Sequence, residues 1–276
     1  MRSVDLHLHS FYSDGADTPT DVARKAKSNG LGLISLTDHD SNDGSAEFLE
    51  ESKKQGISSI PGVEITTMEY HMLGYCFDTN DKDFKEFVKR SQDLQREVCK
   101  KRVEKLQEYG VPINFEDVAN KFPNSTLGKM AIMRIMLSDE NCIEYLKKEN
   151  DPVSFKPIFN FYLSWSGIAH KVETDDCITW NESAYEIHKA GGIVIAAHPP
   201  LYAKDPSELE EHFKVVDGLE VQPQFAEQNV IFENYAIEKG MALTYGSDYH
   251  EEGYQKMLTK GECFLDKITL KILGLS

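Results

Sequence analysis

The sequence predicts a parallel α/β fold, and three observations carry that reading. Short apolar runs of strand length alternate with amphipathic stretches of helix length at the spacing of βα units. Many of the apolar runs lead into His, Asp or Glu. The chain has 276 residues, 40% of them hydrophobic, which is enough for a sizeable buried core.

Taken in order, Val4 to Leu8 reads as the first strand. Alternate residues on a strand face the same way, so His7 and His9 project together and both imidazoles can reach one divalent metal. An ordinary polar pair would have the same spacing, so the rest of the chain has to decide. Ser10 to Gly15 is a turn-rich loop holding Asp14. Thr18-Pro19-Thr20 opens a helix to about Asn29, with Gly30 at its end. Leu33 to Thr37 is the second strand, running into Asp38-His39-Asp40. Ser45 to Lys54 is a helix closed by Gly56. Ile57 to Val63 is a third strand delivering Glu64, and Met72 to Phe77 is a further apolar segment with His71 at its entrance.

From about Asn80 the pattern is helical for some hundred residues. Phe84, Phe87, Val88, Leu94, Val98, Val103 and Leu106 recur at three- and four-residue steps, predicting one long helix that stops before Gly110. Asn114 and Asp117 mark the start of a short helix ended by Pro123. Ser125 or Thr126 is expected to cap the next helix, which carries Lys129 and Arg134. Asp151-Pro152 and Lys156-Pro157 are expected to break the pattern. The Met-rich stretch Met130, Met133, Met136 reads as core packing.

The alternation returns at Trp180. A helix from Asn181 to Ala190 ends in Gly191-Gly192, followed by the strand Ile193 to Ala197 and then His198-Pro199. Val215 to Val221 is a strand and Ala226 to Lys239 a helix ended by Gly240. The strand Ala242 to Tyr245 leads into Gly246-Ser247-Asp248-Tyr249-His250. Cys263 to Leu265 and a terminal helix follow.

The net charge of −16 argues against a duplex DNA-binding protein. Residues 82–129 hold 11 Lys/Arg against 8 Asp/Glu, while the remainder holds 19 against 38. That distribution fits either an anionic substrate held between metals and lysines or a solvated helix face. No apolar run reaches the roughly 20 residues of a membrane span. The first motif begins at residue 5, which leaves no room for a signal peptide. Five scattered cysteines without a CxxC pair suggest reduced thiols and a cytoplasmic protein. The oligomeric state is not legible.

His7, His9, His39, Glu64, His198, Asp248 and His250 all fall at or just beyond the carboxyl end of a predicted strand. In a parallel barrel those ends converge on one mouth. His188 and His212 read as structural, and His170 is left open.

The segments DLHLHS (Asp5 to Ser10), TDHD (Thr37 to Asp40), AHP (Ala197 to Pro199) and GSDYH (Gly246 to His250) resemble the four motifs of the PHP family of metal-dependent phosphoesterases. The resemblance implies a distorted (β/α)7 TIM-like barrel formed by residues 1–79 and 179–276. Residues 80–178 would be an inserted all-helical lobe leaning over the barrel mouth as a substrate lobe. The insertion is similar to the branch acting on nucleotides, which includes nucleoside 3′,5′-bisphosphate phosphatases and 5′→3′ exoribonucleases of short RNA. The alternative within the family is a histidinol-phosphate-type phosphatase acting on a non-nucleotide monoester.

The resemblance also implies a trinuclear centre of two or three divalent transition metals, Mn, Fe or Zn. His7, His9, Glu64 and Asp248 would hold one ion, with Glu64 bridging to a second held by His71 and His198. A third would be held by Asp14, His39 and His250. Asp5, Asp38 and Asp40 would accept hydrogen bonds that orient the histidines. A metal-bridging hydroxide would attack phosphorus in line with the leaving alcohol. His198 and His250 are conceivable proton donors already assigned as ligands, and Asp40 or a metal-bound water is the alternative. Where the nucleotide branch has a Gly-Arg-Pro-His-like segment, this chain reads Gly128-Lys129-Met130-Ala131. Lys129 therefore stands where arginine is expected, as a point charge without the bidentate fork. Arg134 and Lys171 are the other candidate phosphate ligands.

Overall fold

A computed structural model describes residues 2–148, 152–253 and 255–275. In chain order the elements are β1 (Val4–Leu8), α1 (Pro19–Ser28), β2 (Leu33–Leu36), α2 (Ser45–Gln55), β3 (Ser58–Thr66), β4 (His71–Tyr75) and α3 (Lys82–Glu108). Then come α4 (Phe115–Lys121), α5 (Lys129–Met136), α6 (Glu140–Leu146), α7 (Phe155–Tyr162), α8 (Trp180–Lys189) and β5 (Ile193–Ala196). The last are α9 (Glu210–Phe213), β6 (Gly218–Val221), α10 (Ala226–Lys239), β7 (Ala242–Tyr245) and α11 (Lys267–Ile272). The chain divides into two compact units, residues 1–91 with 178–276, and residues 92–177.

The first unit is built on one seven-stranded sheet ordered β1 to β7. A parallel bridge between Leu8 and Tyr249 ties β1 to the segment leaving β7, so the sheet nearly closes into a distorted barrel. Its strands are short and buried, as parallel strands covered on both faces must be. One apolar cluster joins Ile34 and Leu36 of β2 to Val22, Ala23 and Ala26 of α1 and Phe48 of α2. Another joins Val4, Leu6, Leu33, Ile60, Leu73, Tyr75 and Ile195 from five strands.

The sheet is not wholly parallel. β4 pairs antiparallel with both β3 and β5. Only Thr67 to Tyr70 separate β3 from β4, and Thr67 N–H closes that turn on Tyr70 O at 3.1 Å. Four residues suffice for a hairpin, whereas a parallel crossover needs a dozen or more. The reversal brings the amino end of β4, with His71, to the same end of the sheet as the carboxyl ends of its neighbours. Glu64 consequently lies inside β3, paired with Leu73, and not beyond the strand end as expected.

Other boundaries also differ. β6 begins at Gly218, because Val215 lies in the turn after α9. α5 is capped by Gly128, while Ser125 Oγ accepts from Leu127 N–H at 3.1 Å instead. Lys156-Pro157 does not break a helix but sits in the first turn of α7, where proline's missing N–H has no helical partner to lose. The expected break at Asp151 lies outside the described residues.

The second unit contains only helices among its described residues. Cys99, Val103, Leu106, Ile132, Met133, Met136, Leu146, Ile158 and Tyr162 form its own core. The methionines of α5 are buried there, as the spacing predicted. No helix of the described residues is long and apolar enough to cross a membrane.

Candidate metal centre

β1 carries the first two ligand candidates, and its pairing slips where they lie. The register against β2 runs Val4↔Leu33 and Asp5↔Ile34 and then jumps to Leu8↔Leu36, one extra residue on β1. A bulge of this kind re-aims the side chains beside it. The His7 and His9 rings come to 5.0 Å between centroids. β2 leads into His39, β3 carries Glu64, the hairpin returns His71, β5 leads into His198, and β7 leads into Asp248 and His250.

Around Glu64 and Asp248 the donors converge. His7 Nε2 lies 2.9 Å from Glu64 Oε2 and 3.3 Å from Asp248 Oδ1, and His9 Nε2 lies 3.3 and 3.1 Å from the same two oxygens. Two donors on one ion with bonds of about 2.1 Å stand roughly 3.0–3.4 Å apart, so this set fits a divalent cation. The other oxygen, Glu64 Oε1, is 3.0 Å from both His71 Nδ1 and His198 Nε2. Asp14 Oδ1 lies 3.0 Å from His250 Nε2, and Asp14 Oδ2 lies 3.9 Å from His39 Nε2.

Three groups of donor atoms each lie within 4.8 Å of one another: His7, His9, Glu64 and Asp248; His9, Asp14, His39 and His250; and His39, Glu64 and His71. His9 and His39 thus each belong to two groups. His198 falls in none of the three, although it meets Glu64 directly.

The electrostatics match the donor set. Burial would raise the Glu64 carboxyl, but His39, His7 and His71 hold it well below the usual range. Asp248 is likewise held far down against burial by His7 and His250. His250, despite burial, is raised to about 10 by Asp14 and Asp248, whereas burial pushes His71 down to about 4. Asp14 Oδ1 and His39 Nδ1, though 3.0 Å from His250 Nε2 and 3.3 Å from Glu64 Oε2, make no well-aligned hydrogen bond, and His198 Nδ1 is buried without a partner. Buried groups left so are commonly accounted for by an ion, and carboxylates beside neutral imidazoles are the ligands a divalent cation takes. The backbone is strained at the same place, with positive φ at Asp40 (51°), His198 (31°) and Asp248 (58°).

The three aspartates expected to orient imidazoles do something else. Asp5 accepts from Ser247 N–H (3.0 Å), Ser247 Oγ (2.7 Å) and Leu258 N–H (3.0 Å), and burial raises it to about 6. Asp38 accepts from Ser10 N–H (2.7 Å), Ser10 Oγ (2.6 Å) and Ser13 Oγ (2.6 Å). Asp40 Oδ1 accepts from Thr66 N–H (3.0 Å) and Ser91 Oγ (2.5 Å), while its buried Oδ2 has no partner and burial raises the carboxyl. Short side chains at strand exits reach the neighbouring loop backbone before they reach a ring. Asp38 reaches an imidazole only through Ser13 Oγ, which lies 3.3 Å from His9 Nδ1, and Asp5 meets only the His7 backbone N–H, at 3.4 Å.

Two supporting residues were not picked out from sequence. Glu220 on β6 meets His7 Nδ1 at 2.7 Å, and Gln255 Oε1 meets His250 Nδ1 at 2.8 Å. A charged residue inside the apolar run Leu219-Glu220-Val221 was the available signal for the first. His188 pairs with Asp217 at 2.8 Å, and His212 packs against Tyr70 and Trp180, away from the ligand cluster.

In the helical unit, Lys129 Nζ lies 2.9 Å from His170 Nδ1, and Arg102 Nη2 donates to His170 O at 3.5 Å. Among the described residues no carboxylate pairs with Lys129 or Arg102. Burial and the Arg102 charge push Lys129 down to about 7. Arg102 was invisible among the many cations of α3. Lys171 is exposed beside His170. Arg134 is five residues beyond Lys129 on α5, about 140° round the helix, so the two do not share a face.

Residues 5–113 match the sequence pattern of the PHP domain. The chain is 30% identical to a 5′-3′ exoribonuclease of Haemophilus influenzae, over 90% of each protein. It is 25% identical to a 3′,5′-nucleoside bisphosphate phosphatase of Chromobacterium violaceum, over 92% of this chain and 89% of that one. In three dimensions it is similar to a candidate metal-dependent phosphoesterase of Bifidobacterium adolescentis, with a TM-score of 0.78, 24% identity, and coverage of 99% of this chain and 95% of that one.

Proposed function

This chain belongs to the PHP domain family and is a metal-dependent phosphoesterase, and we propose that it acts on small nucleotides. The substrates in this reading are nucleoside 3′,5′-bisphosphates, nucleoside monophosphates or the 5′ ends of short RNA. The metal-dependent chemistry is carried by Glu64, whose two buried oxygens face different histidines, His7 and His9 on one side and His71 and His198 on the other. The nucleotide substrates are supported by the likeness to an exoribonuclease and a bisphosphate phosphatase.

In the proposed arrangement His7, His9, Glu64 and Asp248 would hold one ion, Glu64 with His71 and His198 would hold a second, and Asp14, His39 and His250 would hold a third. Mn, Fe and Zn all suit such ligands. Bound there, divalent ions would supply positive charge for the phosphate oxygens and a water pKa lowered toward about 7.

The remaining roles belong to the chain's own side chains. Asp40, raised by burial, is the group we assign to carry the proton to the leaving alcohol. Ser91 and Thr66 fix its other oxygen. Residues 80–178 serve as the substrate lobe, and Lys129 holds a phosphate that is not hydrolysed. Arg102 beside it supports that role, since two cations without a described carboxylate partner form a ready anion site. Five free cysteines support a cytoplasmic location.

The test is a panel on metal-loaded protein comparing adenosine 3′,5′-bisphosphate, AMP, a short RNA and histidinol phosphate. A bisphosphate or RNA is expected to give the highest kcat/KM. Preference for histidinol phosphate would replace this reading with a non-nucleotide phosphatase.

A further inference from the structure

We infer that Glu220 is a positioning residue that couples His7 to His198, fixing the tautomer of one and the backbone of the other. The inference rests on the metal-centre reading above and concerns how that centre is held.

Glu220 sits on β6 and is 1% exposed. Its Oε1 lies 2.7 Å from His7 Nδ1. A carboxylate can only accept, so Nδ1 carries the hydrogen and donates it, leaving the lone pair of a neutral ring on Nε2. That is the nitrogen facing Glu64 and Asp248. Glu220 Oε2 accepts from His198 N–H at 2.9 Å and from Gln222 Nε2 at 3.1 Å. His198 has the left-handed backbone φ 31°, ψ 53°, which a residue with a Cβ holds only when its surroundings impose it. The bond from His198 N–H to Glu220 supplies part of that constraint. One buried carboxylate therefore serves two ligands from two strand ends.

The space around this contact is reserved for it. A Cβ at Gly246 would collide with both His7 Cβ and Glu220 Oε1, so β7 approaches β1 closely enough only because residue 246 has no side chain. Glu220 itself belongs to none of the three donor groups, which keeps its role distinct from ligation.

The substitution Glu220→Gln tests this. An amide has one acceptor where the carboxylate has two. Either His198 N–H loses its partner, or the amide NH2 faces His7 Nδ1 and drives the hydrogen to Nε2. Zinc affinity, measured by competition with a chromophoric chelator, is expected to fall 10- to 100-fold in E220Q. The hydrogen-bonded Nδ1–H proton of His7 in the zinc-loaded protein should shift or vanish in the NMR spectrum. In a His7→Ala background, E220Q should change zinc affinity less than twofold further, because without the His7 ring the amide oxygen is free to accept from His198 N–H and no Nδ1 remains to orient. Zinc binding by E220Q within twofold of wild type, or a full additional loss in the His7→Ala background, would overturn the inference. Wild-type protein that binds no metal would overturn the centre itself, a separate result. Should E220Q not fold, Glu220→Asp, which keeps the charge but shortens the reach by a methylene, carries the same expected loss and the same overturning result.

Discussion

Lys129 Nζ lies 2.9 Å from His170 Nδ1, within hydrogen-bond reach and beside a third basic group, Arg102. Burial and the charges of Lys129, Arg102 and Lys171 push His170 down to about 4, and Lys129 is depressed to about 7. An arrangement of bases with no described acid is stabilised by an incoming anion.

Sulfate keeps its charge across neutral pH and therefore reports on the lysine alone. Lys129 is charged below about pH 7 and neutral above it. Sulfate binding by calorimetry should therefore be tightest below pH 7 and weaken as pH rises through it. Lys129→Arg should flatten that dependence, since arginine stays protonated. An equally steep profile in the arginine variant would assign the titration elsewhere.

Lys129→Ala should reduce turnover of a nucleoside bisphosphate about ten- to a hundredfold, the equivalent of a charge-assisted contact of roughly 1.5–3 kcal/mol. Turnover of a simple aryl phosphate should change little, because it has no second phosphate to hold. Equal loss on both substrates would indicate a folding defect.

Metal analysis of the folded protein should find two or three transition metal ions. The double variant His7→Ala, His9→Ala should lose at least one of them. Retention of the full complement would remove both histidines from the centre.

Asp40→Asn preserves an oxygen for Thr66 N–H and Ser91 Oγ, so the fold should survive. A nucleoside leaving group needs a proton and nitrophenolate does not. The variant should lose about 10²-fold or more in kcat on a nucleotide and much less on nitrophenyl phosphate. Matching losses on the two substrates would relieve Asp40 of the proton-donor role.

Much of the centre could be read from the chain because period-two spacing placed His7 and His9 together and strand exits placed His39, His198, Asp248 and His250. The direction of β4 was harder. Nothing in His71 to Tyr75 marks polarity, and only the four residues before it, too few for a crossover, carried the information. Asp5, Asp38 and Asp40 misled because a carboxylate next to a histidine in sequence need not face its ring. Glu220 and Arg102 depend on pairings 213 and 68 residues apart, and local pattern does not record such distances.

β4 and β5 are hydrogen-bonded neighbours, Met72 against Ala196 and Tyr75 against Ile193, although the six described helices α3 to α8 separate them in the chain. The ladder does not register how much polypeptide leaves and returns there. A change in the length of that stretch need not rewrite a strand, because both its ends are fixed on one ladder between β4 and β5.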